Sequence, residues 1–546
     1  MKSKILFLSA LIFVLISGCS TKNKSYYNIL NFGAKADGET LNTNAIQETI
    51  NSCYKNGGGT VLIPPGAFVT GPVRLLNNID LYLAQGARLI GSPDTSDYRI
   101  DGTNHGIIYA YQARNISITG EGEIDGQGTS FHLKDSAHIL TDYNRQYTRQ
   151  GDQYAPDEIF PPDGPVEYIA RPGMMIVIVQ CENVTIKDVT LKDSPVWTIR
   201  IGDCDDVLVS GISIHNNLLI PNSDGIHCTT SRNIRISDCD IRAGDDAIIV
   251  TGFGTNVVVS GDPVDAGDYS TREFGNKTGY AENVTVSNCI LQSRSAGIRV
   301  GYGSHSIRNC IFQDLVIYGS NRGLGVFSRD EGTIENIMFS NIIIENRIHS
   351  GHWWGNGEPV HVSAITQNPG MPAGHIKNIC FNNIIANSET GIVIYGTEES
   401  HLEEISLKNI NLTIHDSKLR DTYGGNFDLR PVADLEYAIF KHDIPGLYAG
   451  YVDRLTIEDF TLNWQNNLAS YFTNGIYCEN FNSLLIDGFN GRQAHLSGNQ
   501  AAINIKNGSD VIIRNFIAKK GCTRFLDTEH IRGKFSLNNN ELSGIQ

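Results

Sequence analysis

Three carboxylates, Asp224, Asp245 and Asp246, punctuate two consecutive short runs of strand-forming residues in NSDGIHCTTSRNIRISDCDIRAGDDAIIV, residues 222–250. Asp224 and the Asp245-Asp246 pair are separated by about one turn of a repeat that runs through the rest of the chain. Stacked coils of such a repeat lie about 4.8 Å apart, so the three side chains can share one face. Hydrolysis of a glycosidic bond needs an acid to protonate the leaving oxygen and a base to activate water, and carboxylates in unlike environments supply both roles. A strict strand would send Asp245 and Asp246 to opposite sides. Burying one charge unpaired is costly, so Gly244 is expected to mark a bend that lets both face the same space. The plainer alternative is two Asx-type turns, since Asn-Ser-Asp-Gly and Gly-Asp-Asp are good turn chemistry.

The element that must hold these groups is a repeated one. ENVTIKDVTL from Glu182, DDVLVSGISI from Asp205, RNIRISDCDI from Arg232, ENVTVSNCIL from Glu282 and ENIMFSNIII from Glu335 alternate apolar and polar residues, turn at Asn, Asp or Gly, and alternate again. Further copies start at Lys377, Asp453 and Ser509. Intervals near 25 residues with short strands predict a parallel β-solenoid of about a dozen coils, a rod of roughly 60 Å. A β-propeller would need longer blades with hairpin turns. Ahead of the repeats, residues 44–55 read as an amphipathic helix with Ile46, Ile50, Cys53 and Tyr54 on one stripe, a capping box of Asn44 and Gln47, and a stop at Gly57. Such a helix suits the open end of a solenoid, whose first coil would otherwise expose its edge. The run Gly57-Gly58-Gly59 lacks a following Gly-Lys-Ser/Thr and leads into a strand, so it is no phosphate loop.

Three insertions break the period, at about 129–167, 252–280 and 348–372, and long loops on a rigid rod usually carry function. The third holds His352-Trp353-Trp354-Gly355-Asn356-Gly357-Glu358-Pro359. Trp353 and Trp354 are candidates for stacking on sugar rings, and Glu358 is a candidate substrate contact with them.

The chain has 546 residues and a formal net charge of −16, which speaks against nucleic acid or an anionic membrane surface as its partner. An acidic substrate would have to meet a local cluster of basic groups. Residues 1–20, MKSKILFLSALIFVLISGCS, read as an export signal. Ile16-Ser17-Gly18-Cys19 resembles a bacterial lipobox, which implies a lipid on Cys19, a tether over 20–26, and a β-helix domain over 27–546 in the cell envelope, periplasmic or on the surface. The anchor would be the chain's only tie to a membrane. The other ten cysteines form no CxxC pair, which argues against zinc; Cys239, Cys289 and Cys310 fall at equivalent places in the repeats and read as small buried residues stacked between coils.

NSDGIH and AGDDAIIV resemble the two central motifs of the polygalacturonase family, glycoside hydrolase family 28. The resemblance implies an all-β, right-handed parallel β-helix enzyme that inverts at the anomeric carbon without a cofactor or metal, acting on a pectic or related polysaccharide. It implies Asp245 as general acid, with Asp246 and Asp224 as the base pair, and brings His227 of the first motif into the substrate site. The likeness extends over most of 27–394, including Ser194-Pro195-Val196-Trp197, and departs in two places. Ala296 stands where the family has the His of Gly-His-Gly, and Gly325-Val326-Phe327 stands where it has Arg-Ile-Lys. Arg299 and Arg329 lie close to these gaps and are candidates to bind an anionic or hydroxyl-rich terminal sugar. An exo-acting hydrolase is the expectation; a polysaccharide lyase on the same fold and a surface glycan-binding protein are the alternatives.

Overall fold

The structure is a computed structural model that describes residues 26–100, 102–156, 163–253 and 268–542. The signal segment, Cys19 and nearly all of the tether lie outside the described residues, as does part of the second insertion.

In the middle of the chain each coil contributes three short strands. Ile199–Gly202, Asp205–Ser210 and Ser213–His215 make one coil; Ile226–Thr229, Arg232–Ser237 and Asp240–Ala243 make the next. The strand pairings between these coils are parallel and in register: Ile199 beside Ile226, Ile226 beside Ile248, Ile248 beside Ile298. A propeller, built on antiparallel blades, is thereby excluded. The period-two alternation of the repeats explains the interior, because one residue in two points inward and stacks on its equivalent in the next coil. Phe312, Phe339 and Phe381 form such a stack with ring centroids 5.0 and 4.9 Å apart.

The Asn that recurs in the repeats has a separate task. Asn233, Asn283, Asn309, Asn336 and Asn378 all hold φ between 54° and 58°, the left-handed region that Asn tolerates better than most residues. Their side-chain amides donate to the neighbour one coil back, as Asn283 does to Asn233 at 3.0 Å and Asn378 to Asn336 at 2.7 Å. The turns are thus stapled along the rod.

The helix Thr43–Lys55 closes the N-terminal end, burying Ile46, Thr49, Ile50 and Cys53. It differs from expectation in two respects. Tyr54 is 44 % exposed rather than on the buried stripe, and Gln47 is no capping residue. Its amide exchanges hydrogen bonds with the Arg74 backbone at 2.7 and 3.2 Å, tying the cap to the first coil.

All ten described cysteines are free, and eight are buried. Cys239 and Cys289 are neighbours in adjacent coils, one residue before the register pair Asp240 and Ile290. Cys310 instead lies within strand Ile307–Ser320 and pairs with Val284, so the three are not equivalent. The third insertion is also divided. Strand Val360–Ala364 lies inside it, leaving a loop over 347–359 and another over 365–375 on opposite ends of that strand. A further long excursion, 415–446, separates strands Leu402–Ile414 and Leu447–Trp464; the sequence pattern shows it only as a gap between copies.

Candidate active site

Asp224 sits in the turn before strand Ile226–Thr229, and Asp245 and Asp246 in the turn before Ile248–Thr251. Gly225 N donates to Asp246 O at 2.9 Å, which sets Asp224 and Asp246 one above the other in adjacent coils. Gly244 permits the approach: a Cβ there would lie 2.2 Å from the Ile220 carbonyl oxygen. The bend breaks strand alternation, and carboxylate oxygens of all three residues come within 4.8 Å of one another.

The three side chains are 3 to 6 % exposed and differ in what they hold. Asp246 Oδ1 accepts from Ala296 N at 2.8 Å, and Oδ2 lies 2.5 Å from Arg299 Nε. Asp245 Oδ1 accepts from Asp246 N at 2.9 Å, while its backbone carbonyl takes the Ser293 hydroxyl at 2.6 Å. Asp224 Oδ1 takes no hydrogen bond among the described residues. Burial, with Asp246 adding repulsion, pushes Asp245 up to about 7. Burial and the repulsion of Asp245 and Asp246 push Asp224 upward as well. Four charged groups so close titrate together, and one guanidinium cannot balance three carboxylates, so the cluster retains a proton near neutral pH. Asp245 and Asp224 are the two members that burial raises, and Asp224 Oδ1 is a buried oxygen without a hydrogen bond among the described residues. The same trio has the spacing of a cation site, but Arg299 already supplies a positive charge against Asp246. Although burial works against that charge, Asp246 and the other two carboxylates hold the guanidinium ionised.

Arg299 thus joins the carboxylates, as its sequence position suggested. It projects from the next coil, beside Ile249 in register, and its guanidinium lies 4.6 Å from the centroid of the Tyr302 ring. Arg329 does not project into the recess. It is fully enclosed, donating to the carbonyls of Ser328, Ser363 and Leu429 and to the Ser363 hydroxyl, and burial lowers it to about 10. Nor does it pair with Asp330, which takes Gly303 N, Gln367 and Asn368. Arg329 does share the Phe327 side, its guanidinium 5.2 Å from the Phe327 ring centroid and bonded to Ser363, the register partner of Phe327, but it is closed over there and reaches no open groove.

His227 is also a buried group. Its ring stacks on Trp197 at 3.7 Å, its Nδ1 lies 3.7 Å from Asp224 Oδ2, and burial drives it well below its usual range, so it is neutral. It lies buried between Asp224 and Trp197 on the same outward row of the sheet as Arg299. Trp353 is likewise buried, donating its indole N–H to Asp163 O at 2.8 Å. Trp354 keeps partial exposure and carries the Arg430 guanidinium 4.9 Å over its ring. Glu358 is buried against Arg322 at 3.5 Å and His361 at 3.4 Å. Burial would raise it, but Arg322 and His361 hold it below the usual carboxylate value.

Sequence reasoning missed the partners of these groups. Asp428 joins Arg430 at 3.0 Å and Arg322 at 3.8 Å, and Arg430 reaches Asp142 at 3.0 Å. The chain of charges ties the 415–446 excursion and the first insertion to the coils below the carboxylates. Arg149 reinforces the span through Gly425 O and His442 O, and Arg347 through Asp163 at 2.7 Å. The first insertion leaves the coil before the one that holds strand Ile176–Val179 and reaches partners in the 347–359 loop and the 415–446 excursion, so it passes along the edge of the coils that carry the trio. At the gap left by the missing Arg-Ile-Lys, the Phe327 ring folds over Gly325. A Cβ on Gly325 would lie 2.5 Å from Phe327 Cε2.

The model of glycosyl hydrolases family 28 matches residues 169–302, and a rhamnogalacturonase A/epimerase, pectate lyase-like model matches 26–149. A probable polygalacturonase of Vitis vinifera is 28% identical over 65% of this chain and 73% of its own. An exo-poly-alpha-D-galacturonosidase of Dickeya chrysanthemi is 28% identical over 53% of this chain and 55% of its own. Among solved structures, an exopolygalacturonase from Thermotoga maritima superposes with a TM-score of 0.56 at 20% identity, covering 80% of this chain and 92% of its own. A family 28 exopolygalacturonase from Yersinia enterocolitica gives 0.52 at 17%, covering 95% and 78%. These two share the fold, a right-handed parallel β-helix. The trio, Trp197, His227, Arg299 and Tyr302 all fall inside the 169–302 match, so the stretch that carries the site is the stretch that is similar to glycosyl hydrolases family 28.

Proposed function

We propose that the chain is an exo-acting hydrolase that releases terminal sugars from a pectic polysaccharide or its oligosaccharides with inversion at the anomeric carbon. The observation that carries this is the contrast within the trio: Asp245 is raised to about 7 beside Asp246, which Arg299 holds at 2.5 Å. Asp245 is the proton donor to the leaving oxygen, and Asp224 and Asp246, one coil apart, orient and activate the attacking water. The names of the relatives, a probable polygalacturonase and an exo-poly-alpha-D-galacturonosidase, support a galacturonate-containing substrate. Arg299, beside Tyr302, is the group available to meet an anionic sugar. Two features support action at a chain end: the near-complete burial of the carboxylates, and the first insertion that spans the coils beside them.

Most inverting glycosidases separate their two carboxyl groups by about 6.5–9.5 Å. Oxygens within 4.8 Å are closer than that, so inversion here rests on Asp224 and Asp246 sharing one water, not on spacing. Following the product anomer by NMR during digestion of oligogalacturonides tests the proposal. An inverted reducing monosaccharide is expected. A retained anomer removes the water-attack scheme, an unsaturated product makes the chain a lyase, and binding without turnover makes it a glycan-binding protein.

We further propose that Cys19 carries a lipid that holds the enzyme in a bacterial cell envelope. Lys2, Lys4, the apolar run and the Ile16-Ser17-Gly18-Cys19 motif support it. Cys19→Ser is expected to move the protein from the membrane to the soluble fraction with its activity intact, and unchanged detergent partitioning would remove the anchor.

A further inference from the structure

The outward face of the catalytic sheet carries a second constellation farther along the rod. Register runs from Arg299 to Gly325, His361, Val393, Tyr448 and Tyr477 in consecutive coils. Five steps of about 4.8 Å set Tyr477 about 24 Å from Arg299. The adjoining outward row reads Tyr395, Gly450, Glu479 and Lys506.

Aromatic groups gather there. The Tyr395 and Tyr448 rings lie 6.2 Å apart and those of Tyr448 and Tyr477 5.8 Å, both pairs near parallel. From the 415–446 excursion, Phe427 packs 5.1 Å from Tyr448, and His442 4.9 Å from it. Tyr437, 38 % exposed, meets Phe440 edge-on. Glu479 organises the hydroxyls: Oε1 accepts from Tyr448 at 2.8 Å and Oε2 from Tyr477 at 3.0 Å. Tyr395, Tyr448 and Phe427 are buried and brace the set from beneath, and the outward surface is offered by Tyr477, Glu479 and Tyr437. Ile476 and Cys478 point inward and are buried, whereas Tyr477 and Glu479 alternate outward and remain partly exposed.

We propose that this tyrosine ladder is a second, non-catalytic glycan site that holds a neutral oligosaccharide segment. Aromatic side chains offer apolar surface to sugar C–H groups, and their ordered hydroxyls, with a carboxylate, exchange hydrogen bonds with sugar hydroxyls. The charge of the surroundings selects the neutral class. Glu398, Glu399 and Glu479 act together on Tyr451, and Lys506, whose ammonium lies 5.8 Å from the Tyr477 ring centroid, is 3.6 Å from Glu529. A polyuronate would meet carboxylates here; a neutral chain meets acceptors. Along the row that carries Arg299 the intervening His361 and Val393 are buried, so the site holds its neutral segment independently of the recess. This goes beyond the proposed hydrolysis and stands or falls separately.

The test uses the full chain carrying Asp245→Asn, so that turnover does not obscure binding. Calorimetric titration with a neutral galacto-oligosaccharide is expected to show saturable binding, weakened about tenfold or more, roughly 1.4 kcal/mol, by Tyr477→Ala and by the near-isosteric Glu479→Gln. Tyr477→Phe keeps the ring and is expected to retain most of the affinity. Should Tyr477→Ala fail to fold, Glu479→Gln carries the test. Absence of neutral-glycan binding, binding untouched by either substitution, or loss confined to an oligogalacturonide would each overturn the proposal, whether or not the chain proves to be a hydrolase.

Discussion

Arg299 Nε lies 2.5 Å from Asp246 Oδ2, with both side chains less than a tenth exposed and donated by adjacent coils. Removing one member of a buried pair leaves an uncompensated charge and typically costs about 3–5 kcal/mol. Arg299→Ala is therefore expected to lower stability markedly and to raise the proton affinity of the carboxylates further. Adding Asp246→Asn to Arg299→Ala is expected to restore part of the loss. Urea denaturation of both single variants and the double reads the coupling, and simple additivity would mean that the two groups do not compensate one another.

Asp245 is raised to about 7 by burial and by Asp246, which gives the reaction a pH signature. A general acid must be protonated, so kcat is expected to fall as pH rises through about 7. Asp245→Asn is expected to lose about 10²–10⁴ of the rate while keeping its fold. A wild-type profile flat to pH 9, or near-normal turnover in Asp245→Asn, assigns the proton to another group.

The solenoid and the trio are legible in the sequence because each leaves a local mark: alternation with a recurrent turn residue for one, adjacent carboxylates after a glycine for the other. The recurrent turn Asn is legible as a turn residue, whereas the amide ladder it forms shows only in the structure. What is not legible depends on contacts across the chain. Nothing near Asp428 or Arg430 in sequence signals Arg322 or Asp142, because more than a hundred residues separate Asp428 from Arg322 and more than two hundred separate Arg430 from Asp142. Trp353 reads as a substrate contact by residue type and His227 through the motif it sits in, and their burial, under a ring stack and with a single indole hydrogen bond, is not legible in either signal. Strand alternation puts Arg329 on the Phe327 side, where its guanidinium lies, but cannot show that the place is closed over.

Gly325 and Phe327 are linked by sterics. The backbone of Gly325 is ordinary, but its absent Cβ leaves room for the Phe327 ring, which would otherwise be 2.5 Å away. Overpacking of this kind costs about 1–3 kcal/mol. Gly325→Ala is expected to be destabilised by that amount, and Gly325→Ala with Phe327→Leu to recover most of it. Equal melting temperatures for Gly325→Ala and the wild type would show that the ring moves aside without strain.

Asp245 also makes a prediction about stability that needs no substrate. Its carboxyl titrates near the ordinary value of 3.8 when unfolded and at about 7 when folded. Below about pH 4 both states hold the proton, and the group adds no pH dependence. As pH rises toward 7 the unfolded chain releases the proton first, so ionisation favours unfolding and native stability falls. Above 7 both states are ionised and the loss levels off, on the order of a few kcal/mol, since each pKa unit is worth about 1.4 kcal/mol. An amide in place of the Asp245 carboxyl does not titrate and carries no such dependence. The stability difference between Asp245→Asn and the wild type is therefore expected to grow in favour of the variant from pH 4 to 7 and then to stay constant. Asp224, also raised by burial, remains in both proteins and largely cancels from that difference, apart from the repulsion that Asp245 itself contributes. Melting temperatures collected across pH 4 to 8 read the trend, and a difference that is flat or shrinks over that window would mean that Asp245 enters the folded state already ionised.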